Sequence, residues 1–87
     1  MDELMLDGNA VAGLLQEVFA VEVTTSFGTC DGCGAVDEVG AVRVYRGAGT
    51  VLRCPQCESV LMKLVTDGQR VWIDMRGVRT LELRAGA

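Results

Sequence analysis

Eighty-seven residues suit a single domain, 1–87, and leave no room for a second independent core. A net charge of −4 repels phosphate at long range and disfavours non-specific binding to nucleic acid. No stretch approaches the roughly 20 apolar residues that span a bilayer, and a chain this short hides only about two-thirds of its unfolded surface, so a staple is expected to hold it.

The N-terminal acidic segment, residues 1–20, carries Asp2, Glu3, Asp7 and Glu17 and no basic residue. It lacks the basic start of a secretory signal, so the expected location is the cytoplasm, where thiols are kept reduced. After Asp7 the residues Val11, Leu14, Leu15, Val18 and Phe19 recur at helical period and form one apolar stripe. Asp7 is the expected N-cap, its carboxylate accepting from an open first-turn amide. Gly8 and Gly13 weaken this helix, so it must pack on something to persist. The stripe is either a core face or a face for a partner.

From 21 to 84 the texture is that of strands. "VEVTTSF" runs into the first cysteine pair, "AVRVYR" follows it, and "GAG" connects to "TVLRC". "SVLMKLV" is the next strand, Asp67-Gly68 predicts a two-residue type I′ turn, and "RVWIDM" returns. Arg76-Gly77 turns again before "VRTLELR". Connections this short cannot hold crossover helices, so the strands must be antiparallel. The expected fold is mainly β with one N-terminal helix: a small antiparallel sheet stapled by a four-cysteine metal site.

That site is C-x2-C-x20-C-x2-C, from Cys30, Cys33, Cys54 and Cys57, a spacing that reads as a zinc centre. Each pair makes a tight turn presenting two sulfurs to one side, and two such turns close a tetrahedron. Gly34 after the first pair suits a positive φ that aims backbone amides at sulfur, and Pro55 fixes φ inside the second. Zinc is expected over iron in a rubredoxin-like site. Disulfides are disfavoured by the compartment, and a redox pair by the missing βαβ pattern. Four protein ligands leave zinc no open position, so the metal is a staple and not a catalyst.

The order of "LDGNAVAGLLQEVF", "VTT", "CDGCG", "VRVY", "GTVLRCPQCESVLMKLV" and "VWIDMRGVRTLEL" resembles a family of short bacterial proteins of unknown function. The narrower "CDGCG…CPQCES" between strands is similar to the zinc-ribbon group of folds. The resemblance implies a zinc ribbon with an N-terminal helix, and no activity. One departure stands out. Glu58 occupies the place where glycine often follows the second pair, so the two cysteine turns are expected to be unequal. The cysteine spacing also resembles the ribbon of hydrogenase nickel chaperones. Their nickel role needs a histidine after the first methionine, where this chain has Asp2, so only the structural zinc carries over.

With no histidine there is no base for a serine or threonine nucleophile, and "GAG" lacks the lysine and hydroxyl of a phosphate loop. No enzyme is expected. Arg43 and Tyr45 share one strand face, as do Arg70 and Trp72. These four form a candidate binding face, for another protein or alternatively for single-stranded nucleic acid. The plainer reading is a solvated face, its arginines stacked on Tyr45 and Trp72 and paired with acids of the N-terminal half.

Overall fold

Gly8 sits where two short 3-10 turns meet, and this meeting joins the N-terminal segment to the rest of the chain. The computed structural model describes residues 5–19 and 23–83. Among them are β1 (Met5–Asp7), a 3-10 turn (Gly8–Val11), α1 (Ala12–Phe19), β2 (Phe27–Cys30), β3 (Val36–Glu38) and a second 3-10 turn (Val39–Ala41). Then come β4 (Arg43–Arg46), β5 (Thr50–Arg53), β6 (Val60–Thr66), β7 (Val71–Asp74) and β8 (Val78–Glu82).

The α-helix begins later than the sequence predicts, at Ala12, and Asp7 caps the 3-10 turn that leads into it, its side chain accepting from the Ala10 amide at 3.1 Å. Val11 and Leu15 are buried, and Leu14, Val18 and Phe19 pack on the core beside them. The stripe is a core face. Gly8, however, does more than weaken a helix. A Cβ on it would lie 1.8 Å from the Val39 carbonyl oxygen, so only glycine lets the two 3-10 turns approach.

Every strand pair is antiparallel, as expected. The strands make two sheets and not one: β1-β4-β5-β6-β7 and β3-β2-β8. β8 does not pair with β7. The intervening turn is drawn away because the Gly77 amide donates to Leu61 and the Gly77 carbonyl accepts from Asp31, which leads β8 onto β2. Ahead of the helix, β1 pairs with β4 and adds a strand to the larger sheet. No periodicity in three residues could disclose it.

Alternation puts Val44, Leu52, Met62 and Leu64 on the inner face of the larger sheet, where they meet Val11, Leu15, Val23, Val39 and Val42. Two local expectations are corrected. The segment after Val23 is a turn until Phe27, although residues 21 and 22 lie outside the described part. Ser26 donates back to Val23, and the Thr24 and Ser26 carbonyls accept from Gly40 and Val39, so these buried residues wedge under the second 3-10 turn. Tertiary packing overrides their strand propensity.

The second correction is the turn between β6 and β7. Its central residues are Gly68 and Gln69, because Asp67 donates to the Arg70 carbonyl at 3.2 Å. Only Gly68, at φ 95°, is left-handed, so the turn is not type I′. Asp67 holds it from below, its carboxylate accepting from the Gln69 and Arg70 amides at 2.9 and 2.7 Å.

Candidate metal centre

Each cysteine pair lies in the turn of a hairpin, β2-β3 for Cys30 and Cys33, β5-β6 for Cys54 and Cys57. The two turns repeat one hydrogen-bond scheme. Cys30 donates to Ala35 and Gly34 to Cys30, each at 2.9 Å; Cys54 donates to Ser59 and Glu58 to Cys54, each at 2.9 Å. The Gly32 amide reaches Cys30 Sγ at 3.3 Å, and the Gln56 amide reaches Cys54 Sγ at 3.3 Å. The chain has built the same sulfur-holding turn twice, 24 residues apart.

Expected inequality between the turns is absent from the backbone. Gly34 has φ 79° and Glu58 has φ 69°, so both take the left-handed conformation that points amides at sulfur. Glutamate tolerates this because two arginines hold it. Its carboxylate pairs with Arg43, and its carbonyl accepts from Arg53 Nη1 at 2.9 Å. Arg43 and Arg53 are cross-strand neighbours on β4 and β5.

All four sulfurs lie within 4.8 Å of one another. Cys30 to Cys57 and Cys33 to Cys54 are each 3.7 Å apart. Four sulfurs at about 2.3 Å from a central ion make a tetrahedron with edges of about 3.8 Å. A disulfide needs about 2.05 Å, and all four cysteines are free thiols. The donor set and its spacing therefore fit a tetrahedral metal ion. Cys30 and Cys54 are buried, Cys33 and Cys57 exposed, so the centre faces solvent along one side.

The sulfurs are not electrostatically equivalent. The Ser59 hydroxyl and amide draw the Cys57 thiol down to about 6, with Cys30 and Cys33 adding to the effect. For Cys33 the Ala35 amide pulls down, yet desolvation and the sulfurs of Cys57, Cys54 and Cys30 push the thiol up to about 12. Protons are thus distributed unequally over four crowded sulfurs, and a bound cation displaces them. Ser59 ends the "CPQCES" stretch, which gives it no role. Its only sequence signal is position, two residues after Cys57, matching Ala35 after Cys33.

The whole of this arrangement lies inside one match. Residues 1–86 fit the model of a family described as "Family of unknown function (DUF6510)". The chain belongs to that family. No curated protein and no solved structure matches it.

In this DUF6510 member the candidate binding face is split. Arg43, Tyr45 and Trp72 all project from the outer side of the larger sheet, as the alternation predicts, with Arg70 just ahead of β7. But β4 and β7 are three strand steps apart, about 14 Å. Tyr45 carries the guanidinium of Arg53 over its ring, 5.6 Å from the centroid, beside the second cysteine turn. Trp72 carries Arg70, 5.2 Å from its centroid, beside the β6-β7 turn.

The arginines do pair with acids, though mostly not with those of the N-terminal half. Arg70 meets Asp67, Arg76 meets Asp74 and Arg43 meets Glu58, the partners close in sequence or, for Glu58, in the turn after the neighbouring strand. Arg79 with Asp31, at 3.4 Å, is the one pair among these that reaches the N-terminal half. Local partners win because turns bring acid and arginine together without ordering a distant segment.

Proposed function

We propose that this chain is a non-catalytic interaction module, held in shape by one structural zinc on Cys30, Cys33, Cys54 and Cys57, and that its partner is another protein in a reducing, cytoplasmic setting. The observation that carries this reading is the apolar run on β7: Val71, Trp72 and Ile73 are 43%, 49% and 44% exposed, on a strand paired with the hairpin that carries Cys54 and Cys57. Exposed tryptophan flanked by arginine is the composition of protein contact sites. Zinc suits the donor set because soft thiolates in a closed tetrahedron select it, and the same closure leaves no open ligand position for catalysis.

Nucleic-acid binding has less support. Arg43, Arg70, Arg76 and Arg79 each face a carboxylate, which reduces the unpaired positive field that tracks a phosphate backbone. The test is affinity capture from native lysate by the zinc-loaded protein and by a Trp72→Ala variant, each with and without nuclease. A protein retained by the wild type after nuclease and lost with Trp72→Ala is the expected result. Retention that vanishes with nuclease and weakens with salt would contradict the reading.

A further inference from the structure

β7 is the edge of the five-stranded sheet, and among the described residues no strand pairs with its outer side. Folded proteins usually protect such an edge with charge, proline, a bulge or shortness. The other free edges do so. β1 and β3 have three residues each, β3 carrying Asp37 and Glu38, and β8 carries Arg79 and Glu82. β7 presents three consecutive apolar residues instead, exposed on both faces, with charges only at its ends.

The hydrogen-bond phase of the edge is fixed. The Asp67 amide donates to the Arg70 carbonyl, and alternation from that pair ties Trp72 and Asp74 to β6. The amides and carbonyls of Val71 and Ile73 therefore point outward. An antiparallel neighbour must match them with two outward-pointing residues of its own.

We propose that the occupant of this edge is β7 of a second copy of this chain, antiparallel, with Trp72 opposite Trp72 on the two-fold axis. In that register Val71 of each copy faces Ile73 of the other in a hydrogen-bonded pair, so all the outward groups of these residues are satisfied. The two Trp72 residues form the closer, non-hydrogen-bonded pair, where aromatic rings interact best. Arg70 of each copy comes opposite Asp74 of the other, giving two opposite-charge pairs at the strand ends. Registers displaced by two residues lose this. One sets Arg70 against Arg76, and the other sets Arg70 against Trp72 and leaves Asp74 facing Gly68. Arg70 and Asp74 each already have a local partner in Asp67 and Arg76, and the added cross-copy pairs favour a second copy in this register over the two displaced ones. The result is an isologous interface and a continuous ten-stranded sheet with two tryptophans on its outer face.

This rests on β7 being the contact strand of the proposed interaction module, and it names a partner for it. Sedimentation of the purified, zinc-loaded full chain is the test, with Trp72 emission followed over the same concentrations, since Trp72 is the single tryptophan. Expected is a mass of twice 9.3 kDa that falls to 9.3 kDa on dilution, with emission shifting to the red in parallel. Ile73→Pro removes an outward amide without touching the β6 ladder and is expected to leave a folded, zinc-bound monomer. Asp74→Arg also gives up the Asp74 contacts to the Arg76 amide and guanidinium, so its fold is checked by the amide spectrum of the zinc-loaded variant, and it is expected to weaken the dimer at least tenfold. Adding Arg70→Asp to Asp74→Arg is expected to restore it to within about threefold. A monomer at every concentration overturns the proposal, as does a dimer indifferent to Ile73→Pro, or one that the paired charge reversal fails to rescue. A monomer that still captures a lysate protein would refute the self-pairing and keep the interaction module; a dimer that captures nothing would do the reverse.

Discussion

Glu58 stands in the second cysteine turn where Gly34 stands in the first, and both backbones are left-handed, at φ 69° and 79°. A side chain in that region costs about 1–2 kcal/mol. The opposing Arg43–Glu58 pair, with side chains 42% and 48% exposed, returns only about 0–1 kcal/mol. Strain wins the comparison. Glu58→Gly is therefore expected to raise the stability of the metal-loaded protein by up to about 1 kcal/mol. Glu58→Ala keeps the strain and loses the pair, so it is expected to lower stability by up to about 1 kcal/mol. Denaturant titration of both variants checks this, and the two changes should have opposite signs. Two losses would show that the ion pair, and not the backbone, governs the position.

A second pair of glycines separates packing from propensity. Gly8 has no room for a Cβ, which would overlap the Val39 carbonyl at 1.8 Å, whereas nothing lies within 4 Å of a Cβ on Gly13. Gly8→Ala must push the two 3-10 turns apart and is expected to cost about 1–3 kcal/mol. Gly13→Ala in the helix is expected to stabilise by about 1 kcal/mol. Thermal unfolding of the two variants distinguishes them. Equal small effects would mean that the contact between the 3-10 turns yields freely.

These two glycines also mark what the sequence can and cannot disclose. Cys30, Cys33, Cys54 and Cys57 were legible because metal chemistry forces their spacing. The helical stripe from Val11 to Phe19 and the alternation in β4 to β6 were legible because each element buries one face. The role of Gly8 was not, since a close approach to Val39 depends on a segment 31 residues away. Nor was the path of Val23 to Ser26, where β-branched residues fill a buried turn instead of a strand. The departure of β8 from β7 likewise depends on contacts of Gly77 with Leu61 and Asp31, which no local pattern encodes. Arg43, Tyr45 and Trp72 lie on one side of the larger sheet, but strand order, which no local pattern encodes, separates them into two clusters.

Asp67 gives the protein a defined response to acid. The Arg70 and Gln69 amides, with help from the Arg70 guanidinium, hold its carboxyl below the ordinary value of 3.8. Folding therefore favours the charged form. The contribution is fully present above the unfolded carboxylate range and is lost as pH falls through the lowered folded value. Asp67→Asn is expected to destabilise the β6-β7 turn at neutral pH, with the difference from wild type shrinking as pH drops through that value. Thermal unfolding of both proteins between pH 7 and 2 measures it, and a carboxyl carbon titration of Asp67 locates the midpoint. A midpoint at or above the ordinary carboxylate value would contradict the turn described.

Structural zinc sites contribute roughly 10–16 kcal/mol of apparent binding energy, as large as the whole stability of a small domain. If Cys30, Cys33, Cys54 and Cys57 hold such an ion, its removal must dismantle the hairpins they close. The most direct measurement is a two-dimensional amide spectrum of the purified protein before and after chelation, with metal content determined on the same samples. One zinc per chain is expected at the start. After chelation the dispersed signals of β2, β3, β5 and β6 should collapse and return when zinc is restored. A spectrum unchanged in a sample shown to be free of metal would contradict the claim that the four thiolates and their ion hold this fold together.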